Sequence, residues 1–350
     1  MSAATLTLLT GGVAVASLIL YALLGGADYG GGLWDLLARG PRGARQRALI
    51  EQAVAPVWEA NHVWLIIVVV VLFVGFPTAY AMISIALHVP LTLLLLGVIL
   101  RGTSFTFRHY DDSSGTAQAR WGLVFAGASV FTPVMLGITL GALSAGTIDL
   151  AGDPSGGADG LRVTSGLLSS WLAPLPIATG LFALALFAFL AAVYLTVEAG
   201  DDRQLADDFR ARALVAGVAV FVLAATSAAL AGPRSVFGGH LLRGVLTWPI
   251  QIATGVAAVS AFAALWTRRF RLARLCAVAQ VSLILGGWAV AQYPYLIAPD
   301  LPLEAAAASP ATLRPLLIAL GAGIPILGPS LYWLLRVFKG QPAFAEMHDD

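Results

Sequence analysis

Two carboxylates lie in stretches of this chain that are otherwise apolar. Asp28 sits in GGADYGGGLWDLL and Glu59 in EQAVAPVWEANHVWL. An acid held in hydrocarbon is costly unless it is paired, hydrated or protonated, so an intramembrane carboxylate is a functional candidate by default. The chemistry available to such a pair is proton transfer. At 1.5 Å of rise per residue, Asp28 lies about 16 Å from Arg39 and Glu59 about 12 Å from Glu51, so both reach a similar depth on consecutive helices. Asp35 is seven residues after Asp28, on the same face and nearer the arginine-bearing turn, and completes a ladder of three acids. Glu59 and His62 are spaced i, i+3 and share a helix face, and an imidazole titrates near neutrality. Asn61 and Trp64 share another face. Trp58 and Trp64 are read as packing or partner-facing side chains. The competing structural reading is that the acids hydrogen-bond to backbone or cap a glycine-broken helix. Gly26 and Gly30 form a small-xxx-small pair that lets a second helix approach closely.

The elements that must position these groups follow from composition. The chain has 350 residues, 59% hydrophobic and 11% charged, with a mean hydropathy of +0.85. Soluble domains carry about 25% charged residues, so the expected class is a polytopic membrane protein. A net charge of +1 and the lack of a basic run interleaved with aromatics argue against a nucleic-acid partner. The single cysteine, Cys276, excludes an intrachain disulfide framework and any four-cysteine metal site. The first apolar run has no basic n-region and is too long for a cleavable signal peptide.

A span needs about 20 mostly apolar residues. Nine are expected, at approximately 6–37, 55–75, 79–100, 121–145, 171–197, 213–231, 248–266, 272–294 and 313–337. The expected fold is an all-α, single integral membrane domain over 1–350, with two four-helix bundles and one peripheral helix. Of the 20 lysines and arginines, all but Arg162, Arg234, Arg243 and Arg314 fall in alternate loops or the C-terminal tail. By the positive-inside rule these loops, including one assigned Arg101, Arg108 and Arg120, are cytoplasmic. The N-terminus is then outside and the C-terminus inside. The glycine-, aspartate- and serine-rich stretch 146–170 reads as a solvated loop, and the charges between Glu198 and Arg212 as a solvated face.

Of five histidines, His109, His240 and His348 fall in loops or the tail. His62 and His88 remain as a candidate axial pair for haem, about 5 Å apart in depth if counted from the Gly75–Thr78 turn. Nothing else resembles a cofactor pocket, and no phosphate loop, dinucleotide fingerprint or nucleophile elbow is present. No metal site is expected in this chain.

At these residues the sequence resembles subunit II of the cytochrome bd-type quinol oxidases, including the cyanide-insensitive branch. The match runs through GADYGGGLWDLL, then Ala55-Pro56-Val57-Trp58-Glu59-Ala60-Asn61-His62-Val63-Trp64-Leu65, then Phe76-Pro77, Arg101…Phe105…Arg108 and Tyr293-Pro294-Tyr295. Gly30, Asn61, Arg101 and Arg108 count among its signature or structural positions. The resemblance implies a haem-free subunit beside a haem-bearing subunit I, which carries two haems b and one haem d. The complex would couple quinol oxidation to reduction of O2 to water in the bacterial cytoplasmic membrane. It implies that Asp28 and Glu59 serve a proton pathway, to which the reading of the residues adds His62 and Asp35 as candidates, and that Trp64 marks an oxygen-entry position, with Trp58 an oxygen-entry or partner-facing candidate beside it. In some members a structural quinone and small single-span accessory subunits are added. This chain departs from several relatives in having Gly25 where they have an acid, and from many in having Glu59 in place of aspartate. The alternative is a proton-coupled secondary transporter, which intramembrane acids would also suit. The odd span count and the lack of an internal repeat weigh against it.

Overall fold

The computed structural model describes residues 1–54, 58–110, 115–241, 244–245 and 247–339, and the side chains of 54, 58–60, 108–110, 115–119, 154–155, 335 and 338–339 are outside that description. The described residues are mostly helical. Helix α1 (Ala3–Leu36) opens on Ser2, whose side chain accepts from the Thr5 N–H, a standard N-cap. Its 34 residues extend about 51 Å, well beyond the hydrocarbon of a bilayer. Glycine in a helix interior costs about 1 kcal/mol relative to alanine, yet α1 continues unbroken through Gly25, Gly26, Gly30, Gly31 and Gly32. Close packing offsets the cost. Gly26 lies under the Phe187 ring of α7 (Pro174–Glu198), and a Cβ at Gly30 would fall on the Phe187 carbonyl oxygen.

Helices α1 and α7 form the centre. Leu186 to Val193 are buried in succession, the pattern of a helix enclosed on all sides. Helices α3 (Trp58–Gly75), α6 (Gly115–Ala145) and α10 (Phe270–Gln292) pack on α1, while α6, α8 (Arg203–Ala229) and α10 pack on α7. Helix α5 (His88–Tyr110) leans on α6, and α9 (Trp248–Trp266) on α10. The result is one group of α1, α3, α5 and α6, a second of α7 to α10, and a peripheral α12 (Pro310–Lys339) that touches α1 and α3. Eight of the described helices are long and apolar enough to cross a membrane, and a bent pair raises this to nine.

That bent pair corrects the expected third span. Residues 79–100 are not one helix. The segment Asn61–Gly75 is followed by α4 (Pro77–Ala86) at 115° to it, and only from His88 does α5 cross. Pro77 starts α4 where its missing N–H is harmless. The Gly75 carbonyl, released by the bend, accepts from the Ala308 N–H at 2.8 Å. Gly75 itself sits against Thr10 of α1 and against Leu313 and Leu316 of α12, a close approach only a glycine allows. An apolar run reads the same whether it crosses or turns sideways, so hydropathy placed the span about nine residues early.

Two segments expected to be solvated are structured. The stretch 146–170 contains an antiparallel hairpin of β1 (Leu150–Gly152) and β2 (Leu161–Val163), which packs on α4. The charges between Glu198 and Arg212 lie largely on the first turns of α8, which begins about ten residues earlier than expected. There they pair with α2 (Gly43–Val54). Asp208 takes two hydrogen bonds from Arg42 at 2.8 and 2.7 Å and one from Gln46 at 2.7 Å, and Arg45 pairs with Asp202. Asp202 also caps α8 through the N–H groups of Gln204 and Leu205. At the opposite, arginine-poor end, a second two-stranded ladder joins β3 (Tyr295–Ile297) to β4 (Leu301–Pro302), just before the short α11 (Leu303–Ala306).

Candidate functional site

Asp28 lies about 12 Å before the end of α1 at 1.5 Å per residue, and it is 3% exposed. Its partner is Arg101, which the sequence placed in a loop but which the structure buries inside α5, 1% exposed. The shift of α5 by nine residues carries Arg101 to the level of Asp28. Arg101 Nη2 donates to Asp28 Oδ1 at 2.5 Å and lies 3.5 Å from the Asp28 carbonyl oxygen. Its Nε donates to Ser129 Oγ of α6 at 3.1 Å, and that hydroxyl donates on to the Phe125 carbonyl. The guanidinium is sandwiched between aromatic faces, 4.7 Å from the Tyr29 centroid and 4.9 Å from that of Phe125. A guanidinium seats well here because it is planar and presents several donors in a fixed fork. Gly32 makes room, since any Cβ on it would meet the Ser129 side chain.

A second layer comes from α1 itself. Tyr21, Gly25 and Asp28–Tyr29 follow the i, i+4, i+7/i+8 spacing of one helix face. Tyr21 and Tyr29 hydroxyls are 3.4 Å apart, the Tyr29 ring stacks 6.4 Å from Phe187, and the Tyr21 ring stands edge-on to His62 at 6.3 Å. Neither tyrosine, nor Ser129, nor Phe125 was singled out in the sequence. The tyrosines could have been found from their shared face with Asp28. A serine in an apolar helix carries no such signal.

Helix α3 contributes Asn61, His62 and Trp64. Asn61 is 1% exposed, and Asn61 and His62 are both electrostatic neighbours of the Asp28 carboxylate. Among the described residues, Asp28 Oδ2, both amide atoms of Asn61 and Trp64 Nε1 are buried without a well-formed hydrogen bond, although the Asn61 amide bears on the Asp28 carboxylate. The side chains of Glu59, Trp58 and Arg108 lie outside the described residues; the structure puts Trp58 and Glu59 on the first turn of α3 and Arg108 on the last of α5. Asp35 is buried near the arginine-rich end of α1, 3.9 Å from Arg47, and about 10 Å along the axis from Asp28.

His62 and His88 are not brought together. His62 is at the level of Asp28 and Arg101, whereas His88 opens α5, 13 residues before Arg101 and therefore about 20 Å along the helix. One iron cannot take axial ligands from both, so these residues do not fit a haem. The depth count from the Gly75–Thr78 turn failed because α4 runs sideways. Among the described residues no group of three or more His, Cys, Asp or Glu could hold a metal ion.

Comparison with known proteins agrees with this architecture. A family model for cytochrome bd terminal oxidase subunit II matches residues 6–338. A cytochrome bd ubiquinol oxidase subunit 2 of Bacillus subtilis is 31% identical over 93 residues, 27% of each chain. The cytochrome bd-I ubiquinol oxidase subunit 2 of Escherichia coli K12 is 29% identical over 130 residues, 37% of this chain and 33% of that protein. These two matched stretches thus span a third or less of the relatives' own lengths. A putative cytochrome bd menaquinol oxidase subunit II of Bacillus subtilis aligns over 91% of both chains at 23% identity. A chain in the structure of the bd oxidase from Geobacillus thermodenitrificans shares the fold, with a TM-score of 0.74 at 23% identity, over 95% of this chain and 98% of that one. The chain, a multi-pass protein of the bacterial cytoplasmic membrane, belongs to the cytochrome bd terminal oxidase subunit II family.

Proposed function

We propose that this chain is the haem-free subunit II of a bd-type terminal oxidase, which couples quinol oxidation to reduction of O2 to water. It stabilises a haem-bearing subunit I, where two haems b and one haem d supply the redox chemistry. It also provides part of a proton path from the cytoplasm. The single observation behind the proton path is the division of labour within the Asp28 carboxylate. Oδ1 is held by Arg101, while Oδ2 is buried without a well-formed hydrogen bond among the described residues. One oxygen fixes the group in place and the other remains available to take up and release a proton.

The arginine-rich end is read as cytoplasmic from the distribution of lysine and arginine. A proton entering there meets Asp35 first, then Asp28. Their axial separation of about 10 Å exceeds hydrogen-bond reach, so transfer between them runs through water. His62 stands beside Asp28, and Glu59, three residues earlier on α3, is carried into the path from the sequence. Trp64 and Trp58 are proposed to face the partner or an oxygen route. The redox chemistry that these acids would feed belongs to the partner subunit.

The test is to replace Asp28 by Asn and Glu59 by Gln separately in the assembled complex. Turnover per haem should fall by roughly 10²-fold, the low end of what a positioned proton donor supplies, with haem content per complex normal. Wild-type oxygen consumption in both variants would overturn the proton-path assignment.

A further inference from the structure

The proton path leaves one residue of α3 without an assigned task. Asn61 is 1% exposed and its amide bears on the Asp28 carboxylate, yet among the described residues neither its amide nitrogen nor its amide oxygen makes a well-formed hydrogen bond. A buried primary amide offers two donors and an acceptor with two lone pairs, and leaving them unmade carries the full desolvation penalty. Two further orphan atoms flank it. Asp28 Oδ2 is across the α1–α3 interface, and Trp64 Nε1–H is one turn along the same face of α3. Among the described residues this leaves an acceptor, a donor and a bifunctional amide on facing helices unsatisfied, and water satisfies such groups where two to four of them line a buried cavity.

Resting on the proton-path reading above, we propose that Asn61 is a positioning residue. It orders water between Asp28 Oδ2 and the Trp64 indole and so sets the direction in which Asp28 exchanges its proton. Arg101 closes the opposite side of the carboxylate through Oδ1, so exchange at Oδ2 is confined to the side that Asn61 lines. The amide is suited to this because it has both a donor and an acceptor but does not itself titrate. It holds a water chain in register without trapping the proton. The ligand class is water alone, with Arg101 already supplying the cation for Asp28.

The experiment uses the complete oxidase complex carrying Asn61→Leu, which keeps similar volume without polar atoms, and Asn61→Ser, which restores a donor and an acceptor. Asn61→Leu should slow turnover per haem about tenfold, the change produced by 1.36 kcal/mol in a barrier, and raise the solvent isotope effect. Asn61→Ser should recover most of both. Reduced-minus-oxidised infrared difference spectra recorded in H2(16)O and H2(18)O report the water directly. An isotope-sensitive O–H band present in wild type should be lost in Asn61→Leu and return in Asn61→Ser. If Asn61→Leu prevents assembly, Asn61→Val carries the same expectations. Wild-type turnover and an unchanged water band in the apolar variant would overturn the proposal. If Asp28→Asn slows turnover and Asn61→Leu does not, the Asn61 role alone fails. If neither slows it, the proton path fails with it.

Discussion

Charge removal on one side of the Asp28–Arg101 pair should be far more damaging than removal on both. The two side chains are 3% and 2% exposed, so neither ion can turn to bulk solvent when its partner is lost. Breaking a buried pair in this way costs about 3–5 kcal/mol, whereas replacing both ions together is often close to neutral. The structure also predicts an asymmetry. In Asp28→Asn the guanidinium keeps Ser129 Oγ and the faces of Tyr29 and Phe125, and cation–π contacts are worth about 0.5–2 kcal/mol. The loss should lie near the lower bound of about 3 kcal/mol. In Arg101→Gln the carboxylate loses its guanidinium partner, and the loss should approach about 5 kcal/mol. The double variant Asp28→Asn/Arg101→Gln should be less destabilised than either single one, so the two single losses must offset one another by more than about 5 kcal/mol when combined. Denaturation of the purified complex in mixed detergent micelles measures all three. Single losses below about 1 kcal/mol, the range of exposed pairs, or strictly additive losses would refute the placement of this pair in a desolvated interior. A stable double variant that still turns over slowly would separate the proton function of Asp28 from its structural one.

Two further outcomes test the supporting elements. Gly30→Ala should destabilise the complex by about 1–3 kcal/mol through overpacking, because its Cβ meets the Phe187 backbone rather than a movable side chain. Gly12→Ala, on the same helix but facing open space, should be neutral or stabilising by up to about 1 kcal/mol, and thermal unfolding of the pair makes the comparison. Asp202→Ala removes both the N-cap of α8 and the ion pair to Arg45. It should cost about 1 kcal/mol, most of it from the cap, seen as faster hydrogen exchange at Gln204 and Leu205.

The acids were legible in the sequence and their partner was not, for one physical reason. An apolar run interrupted by Asp28 or by GGG still reads as a membrane helix, so the acid is conspicuous. An arginine at the end of an apolar run reads as the start of a loop, and Arg101 was assigned there. The hidden variable was the direction of α4. Pro77–Ala86 continues the apolar run but lies at 115° to the helix before it, and the residues of α5 are displaced by about nine positions from where an uninterrupted span would put them. The same displacement separated His62 from His88. The ion pairs of Asp202 and Asp208 with α2 were missed because charge alternation does not reveal which distant segment folds back over it. The Gly26–Gly30 spacing announced a close helix contact, but nothing local could name α7 as the neighbour.

The bend between α3 and α4 also has a consequence for biosynthesis. Its freed carbonyl at Gly75 is satisfied by the N–H of Ala308, which lies 233 positions later in the chain (308 minus 75). At translation rates of about 5–20 residues per second, that donor emerges roughly 10–50 s after the acceptor. For this interval α3 and α4 sit in or at the bilayer with the turn incomplete, and the packing of Leu313 and Leu316 against Gly75 is also absent. A helix made late, α12, therefore locks one made early. A ribosome-stalled chain ending before α11 should hold the Asp28 helix without a fixed wall on its α3 side, a state open to membrane quality-control proteases.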